Sequence, residues 1–343
     1  MLLNELCSAR GVSGDEGEIR DVIKTHLTDC DVHVDAMGNL LAKRKNTTGK
    51  RILLSAHMDE VGLIISEIED NGFLRFKTVG SINTDVLAGK KVYIGKNKAA
   101  GIIGIKALHL QTKAQRESAV SEEELYIDIG VCDKSEAESI VSLGDTATFC
   151  PLYYPFGDGL IDAKAIDDRA GCAILIRALN KRYPGIDLCC AFTAQEEVGL
   201  RGAQAAAEYF RPELAIVVES TFCSDIFPTE PKDYVTSLGK GPALTFMDRV
   251  ATPDKTLVSS LLLTAKTHDI PVQKKRTTGG GTDAGVISRA VEGIPTAIIA
   301  LPCRNLHSPA SVIAESDFED MWRLLDTWLT EAAASIIFPK DNL

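Results

Sequence analysis

The sequence predicts an α/β protein with a mostly parallel sheet flanked by helices, interrupted by a β-rich insertion. Three observations predict it. Apolar runs such as RILLSAH, IDLCCAFTA, LAIVVES and GIPTAIIAL alternate with helical stretches, the pattern of parallel strands covered on both faces. Between about residues 64 and 156 helical patterns thin out and period-two alternation takes over. The length, 343 residues, exceeds the usual size of one domain.

Two helices are expected first, over LLNELCSA and then roughly residues 14–28, where Ile19, Val22, Ile23 and Leu27 recur at helical spacing. DVHVDA and NLLAKRK read as strands about a Gly38–Asn39 turn, and RILLSAH as a buried strand ending in HMDE. In the middle, IISEIEDNGFLRFKTV reads as a hairpin with Asn71–Gly72 at its tip. KKVYIGKNKAAGIIGIKA, ELYIDIGV and DTATFC supply further strands. QTKAQRESAVSEEE is expected as a mobile loop, and a short helix at about 134–143. From about 160 the alternation resumes: a helix at about 168–181, the strand IDLCCAFTA, the helix GAQAAAEYF and the strand LAIVVES. The helix KTLVSSLLLTAKTHD, the turn TTGGGTDAG, the strand GIPTAIIAL and a helix at about 317–336 complete it. The expected division is a discontinuous α/β domain, 1–67 and 157–343, around an insertion at 68–156.

Composition is that of a globular protein, 45% hydrophobic and 25% charged. A net charge of −11 argues against nucleic-acid and anionic-membrane partners, which need a basic footprint. Nine cysteines, an odd number without a C-x-x-C pair, mostly sit in apolar strings. That suits reduced, buried thiols. No signal-peptide pattern opens the chain and no apolar run is long enough to span a membrane. A cytoplasmic location is expected.

Acids and histidines gather at or just past the expected strand ends: His57 and Asp59, Asp167 and Asp168, Glu196 and Glu197, Glu219, and His307. In an open α/β sheet these ends share one edge, where such folds place their chemistry. Histidine plus carboxylate without thiolate suits Zn, Co or Mn. Successive residues of an extended segment point to opposite sides. One of the twin glutamates can therefore ligate a metal while the other faces a water whose pKa the metal lowers towards ~7. Asp59, two residues from His57, can orient its ring. Asp167 can bridge two ions ~3.5–4 Å apart.

Each piece alone has a plainer reading. A histidine after a strand is more often structural, by roughly three to one. Asp167–Asp168 makes a good helix N-terminus, and Glu196–Glu197 could be a solvated loop. TTGGGTDAG lacks the spacing of a phosphate cradle, so its glycines fit better with backbone passing close to a substrate or a neighbouring subunit. Cys303 near His307 suggests a thiol nucleophile, yet most buried cysteines are inert. Five candidate ligands and a candidate base, all at strand ends, shift the balance to a metal centre.

AHMDEVG (56–62), AIDDRAG (165–171), AQEEVG (194–199), VVES with Asp225, GGGTDAG (279–285) and PCRNLHSP (302–309) occur in order. Together they resemble the dimetal aminopeptidases that form tetrahedral, twelve-subunit particles: deblocking, glutamyl, lysyl and leucyl aminopeptidases, some once labelled cellulase M. The similarity spans nearly the whole chain. It implies a zinc-peptidase-like fold with a barrel or PDZ-like dimerisation domain, and two divalent ions per subunit. His57 and Glu219 would hold one ion, Glu197 and His307 the other, and Asp167 would bridge them. Glu196 would be the general base and Asp59 would support His57. The peptide bond after Asp167 would be cis. Gly280, Thr282 and Asp283 would belong to a substrate or interface loop. Partners would be short peptides and copies of the chain, as dimers building to dodecamers. Many relatives carry Asp where this chain has Glu219, one methylene longer.

The implied reaction is release of N-terminal residues from peptides. The alternatives are another dimetal amidohydrolase or deacylase on the same scaffold, a metal-free glycosidase, which needs two opposed carboxyls, and a non-enzymatic particle.

Overall fold

The computed structural model describes residues 2–338. Helices α1 (Leu2–Ser8) and α2 (Gly17–Thr25) come first, then the antiparallel pair β1 (Cys30–Val34) and β2 (Leu40–Arg44). Asp35 builds the turn between them: one carboxylate oxygen accepts the amides of Met37 and Asn39 at 2.9 and 3.0 Å. β3 (Lys50–His57) is buried from Ile52 onward.

The chain then leaves for a closed barrel of β4 (Gly62–Ile68), β5 (Leu74–Val79), β6 (Lys91–Ile94), β7 (Ala99–Ile105), β8 (Leu125–Asp128) and β9 (Thr146–Phe149), in spatial order β4-β5-β8-β7-β6-β9. Leu63, Ile65, Leu74, Phe76, Val92, Ile103 and Ile127 fill it, the inward half of the alternating pattern. The expected boundary at 67/68 falls inside β4, and strand pairing carries the barrel from Gly62 to Phe149. The stretch expected as a loop contains α3 (Lys113–Glu117), started by a reciprocal Thr112–Gln115 capping box. Its polar composition hid the helix; the T-x-x-Q spacing was the available signal. α4 (Lys134–Ile140) falls where a helix was expected.

After β10 (Tyr153–Phe156) and β11 (Leu160–Ala163) come α5 (Ile166–Leu179), β12 (Ile186–Thr193), α6 (Arg201–Phe210) and β13 (Leu214–Phe222). Next are β14 (Ala243–Leu244), α7 (Lys255–Thr267), β15 (Gln273–Lys274), α8 (Ala284–Ile287), β16 (Thr296–Cys303), β17 (Ser311–Ala314) and α9 (Glu315–Glu331). The main sheet runs β1-β2-β12-β3-β13-β16-β14-β15, with its four central strands mutually parallel. β10, β11 and β17 form a separate small sheet. α5, α7 and α9 cover one face of the main sheet and α6 and α8 the other. The central strands are therefore apolar on both sides, as their sequences required.

Candidate active site

Register brings the distant residues together. Thr193 at the end of β12 pairs with His57 at the end of β3. Val217 on β13 pairs with Ser55, so Glu219, two residues on, lies across from His57. Asp167 enters at the start of α5, where the Asp167–Asp168 peptide bond is cis. His307 arrives from the turn after β16, and Glu196–Glu197 from the turn after β12. Gly202 lets α6 sit against that turn: a Cβ there would collide with Asn39 Oδ1 and the Ala194 carbonyl oxygen.

The ligand candidates converge as two sets sharing Asp167. His57 Nε2 lies 3.1 Å from Asp167 Oδ1 and 3.5 Å from Glu219 Oε1. His307 Nε2 lies 3.2 Å from Asp167 Oδ2 and 3.2 Å from Glu197 Oε1. The two oxygens of Asp167 thus face two different imidazoles. Glu196 makes no ion pair among the described residues, although it is adjacent to Glu197 in the chain and lines the same cavity.

The donor set fits cations. His57 Nδ1 is 3.0 Å from the Asp59 carbonyl oxygen, and His307 Nδ1 is 3.0 Å from the Ser81 carbonyl oxygen. A carbonyl only accepts, so each Nδ1 donates and each Nε2 is the ring atom left to bind a cation or a second proton. Each Nε2 faces carboxylates, an approach that is repulsive unless a proton or a metal ion lies between. Asp167, Asp168, Glu196, Glu197 and Glu219 surround the two rings, and no lysine or arginine pairs with any of them among the described residues. Divalent ions would supply the missing charge.

Without an ion, protons fill that role. Burial raises Glu196 well above the usual carboxylate range, and Glu219, Asp283 and Glu197 add to it against the pull of His57. Burial lifts Glu219 to about 8, opposed by His57. Burial pulls both imidazoles down, but their carboxylates win. Glu219 and Asp167 hold His57 well above its usual range, and Asp167 and Glu197 push His307 to about 11.

Asp59 acts differently from expectation. Its backbone carbonyl, rather than its carboxylate at 3.5 Å, holds the His57 ring most closely. The carboxylate instead accepts the amides of Glu196 and Glu197 at 3.0 and 3.2 Å. The sequence reading placed Asp168 among the gathered acids but gave it no role. It is fully buried, its Oδ1 accepts the Gly171 amide at 2.9 Å and its Oδ2 has no hydrogen-bond partner among the described residues. The sequence reading missed Ser81, which follows β5 and has no motif of its own.

A cavity of about 580 Å³ opens over these groups. Gly280 and Thr282 line it, and Thr282 donates to Asp248 at 3.3 Å. Asp283 points into the protein, accepting from Thr193 Oγ1 at 2.6 Å. Arg249 and Lys275, which the sequence did not single out, also line the cavity. Cys303 is buried and burial pushes its thiol well above the usual range, which leaves no thiolate nucleophile.

A family model for the M42 glutamyl aminopeptidases matches residues 38–324. The chain belongs to this family. It is 28% identical over 341 residues to the lysyl aminopeptidase of Pyrococcus furiosus, covering 96% of each chain. The TET aminopeptidase of the marine sediment archaeon Thaumarchaeota archaeon SCGC AB-539-E09 superposes with a TM-score of 0.91 at 33% identity, over 96% of this chain and 95% of that one. The TET1 peptidase of Pyrococcus horikoshii, described as assembling into a tetrahedron or a large octahedral shell, gives 0.85 at 32% identity, over 96% and 98%. This M42 chain shares their α/β fold with a separate barrel. Membership makes it an aminopeptidase, a hydrolase of peptide bonds.

Proposed function

We propose that this M42 protein is a dinuclear metallo-aminopeptidase with Glu196 as general base. His57, Glu219 and Asp167 would hold one divalent ion, and His307, Glu197 and Asp167 the other. When bound, such ions supply Lewis acidity to the scissile carbonyl and bring the pKa of an attacking water near ~7. Glu196, unpaired beside the ligand set, takes the water's proton as oxygen attacks the carbonyl carbon. It then passes that proton to the departing amine nitrogen as the C–N bond breaks. The surrounding carboxylates favour a substrate with a free, positively charged amino terminus. The carrying observation is a pair of histidines whose Nδ1 atoms face main-chain oxygens and whose Nε2 atoms face carboxylates with no lysine or arginine partner among the described residues.

Arg249 and Lys275 suggest the side chain taken. Neither makes an ion pair among the described residues, and both line the cavity. The Lys275 ammonium, pulled down by burial, lies close enough to feel Asp248 and Glu219. An acidic N-terminal side chain fits these cations better than the lysine named for the P. furiosus relative. The assembly reading is a homo-oligomer of dimers built through the barrel domain, supported by the shells described for the TET1 peptidase.

The test is metal analysis with glutamyl, lysyl and leucyl chromogenic substrates, before and after chelation, and a peptide with a free or acetylated terminus. About two equivalents of metal, chelation-sensitive cleavage and a requirement for the free amine are expected. Equal cleavage of the acetylated peptide would replace the aminopeptidase reading with a deacylase or broader amidohydrolase.

A further inference from the structure

The segment GVSGDE, residues 11–16, lies between α1 and α2 and takes no part in the ligand set. It runs beside the residues that follow β3: the Glu60 amide donates to the Gly11 carbonyl at 2.9 Å, and the Ser13 amide to the Glu60 carbonyl at 3.2 Å. From there its side chains reach the catalytic turn. Ser13 Oγ donates to Asp59 Oδ2 at 2.5 Å. Glu16 Oε1 accepts the amides of Gly14 at 2.7 Å and Gln195 at 3.2 Å.

Three consecutive amides, of Gln195, Glu196 and Glu197, therefore end on two buried carboxylates, Glu16 and Asp59. Gln195 has a φ of 60°, so the turn departs from the extended path of β12 at that residue. Asp59 has a competing partner, since its Oδ1 is 3.5 Å from His57 Nδ1. A carboxylate turned towards that ring would release an amide. The Ser13 hydroxyl ties down Oδ2, the oxygen that also accepts the Glu197 amide, and so opposes that rotation.

We infer that Ser13 and Glu16 are positioning residues, which set the direction of Glu196 by clamping the amides of residues 195–197, Ser13 through Asp59 and Glu16 directly. The inference rests on Glu196 being the proton acceptor.

The test compares Ser13→Ala, Ser13→Thr and Glu16→Gln in the metal-loaded protein by kcat, KM, bound metal and melting temperature. Amide hydrogen exchange at 195–197 is followed in the metal-free protein. Loss of one hydrogen bond to a charged group should lower kcat about tenfold or more in Ser13→Ala. KM and bound metal should stay unchanged, the melting temperature should fall by only a few degrees, and exchange at Glu196 and Glu197 should quicken. Ser13→Thr, which keeps the hydroxyl, should restore both readouts. Glu16→Gln should quicken Gln195 more than its neighbours. Unchanged kcat, a kcat loss that follows metal loss or melting, or no rescue by threonine would each overturn the inference. If the wild-type protein fails to cleave peptides, the functional reading falls. Unchanged exchange in Ser13→Ala would overturn the clamp separately.

Discussion

Two buried charged clusters are built from alternating residues of the same segments, and they are wired differently. Asp59 faces the catalytic turn, whereas Glu60 turns to the other cluster, where Lys164 Nζ meets both its oxygens at 2.8 Å and Arg169 lies 3.4 Å away. Asp167 joins the ligand set, whereas Lys164 and Arg169 on either side of it do not. The cations of that second cluster also donate to backbone: Lys164 to Ala9 at 3.1 Å, and Arg169 to Met58, Ala9 and Leu6. All three side chains are at most 2% exposed. The one carboxylate there, Glu60, meets two fixed cations of the chain itself. In the acid-rich set no carboxylate meets a lysine or arginine among the described residues, and only the two imidazoles face them. Burial tolerates the first arrangement as structure, because the charges are paired and hydrogen-bonded. The second has only two imidazoles set against five carboxyl groups, Asp167, Asp168, Glu196, Glu197 and Glu219.

The sharpest way to break this contrast is to remove metal. Chelation should abolish peptide cleavage, and added Zn, Co or Mn should restore it. An enzyme that keeps its activity with no bound metal would show that the acid-rich set is balanced in some other way. Next, Glu196→Gln should lower kcat by ~10²–10⁴ with bound metal unchanged. Near-normal turnover would remove the assignment of the base.

The cluster of Glu60, Lys164 and Arg169 should answer to stability instead. Glu60→Gln leaves Lys164 and Arg169 facing each other without a carboxylate and should cost ~3–5 kcal/mol, read as a lower urea midpoint at unchanged slope. No change in midpoint would mean that the cluster is not a structural one.

The smallest effect is expected at Asp225, whose bidentate contacts with Arg304, 2.7 and 2.8 Å, are only partly buried. Burial pushes the Asp225 carboxyl up, but Arg304, Cys223 and the Leu238 amide outweigh it and hold the carboxyl below its usual value. A depressed carboxyl contributes stability that is present above its unfolded pKa of about 3.9 and disappears as the pH falls through the folded value. Asp225→Asn should therefore lower the urea midpoint by about 1 kcal/mol equivalent at pH 7. The gap to wild type should close in acid below about pH 4, and a gap that persists there would assign the effect to packing.

Much of this was legible in the sequence, for physical reasons. Strands buried on both faces write themselves as unbroken apolar runs, so β3, β12, β13 and β16 were visible, and with them the edge where His57, Glu197, Glu219 and His307 meet. The two-residue strands β14 and β15 were not, because no periodicity fits in two residues. Asp168, Glu60 and Arg169 sit inside quoted motifs and Lys164 just before one, yet spacing alone cannot say which neighbour faces which cluster. Ser81, Arg249 and Lys275 reach the cavity from loops whose path depends on tertiary contacts. The role of the Asp59 carboxylate differed from expectation because the nearer acceptor for His57 was a main-chain oxygen, a group that every residue carries and no sequence displays.

The contact between His307 and the Ser81 carbonyl oxygen is one of several that join the two parts of the chain. Ser81 stands just past a strand of the barrel, and His307 belongs to the catalytic sheet's rim. That imidazole is thus braced against main chain just outside the barrel, and a displacement of the barrel would be felt at its Nδ1.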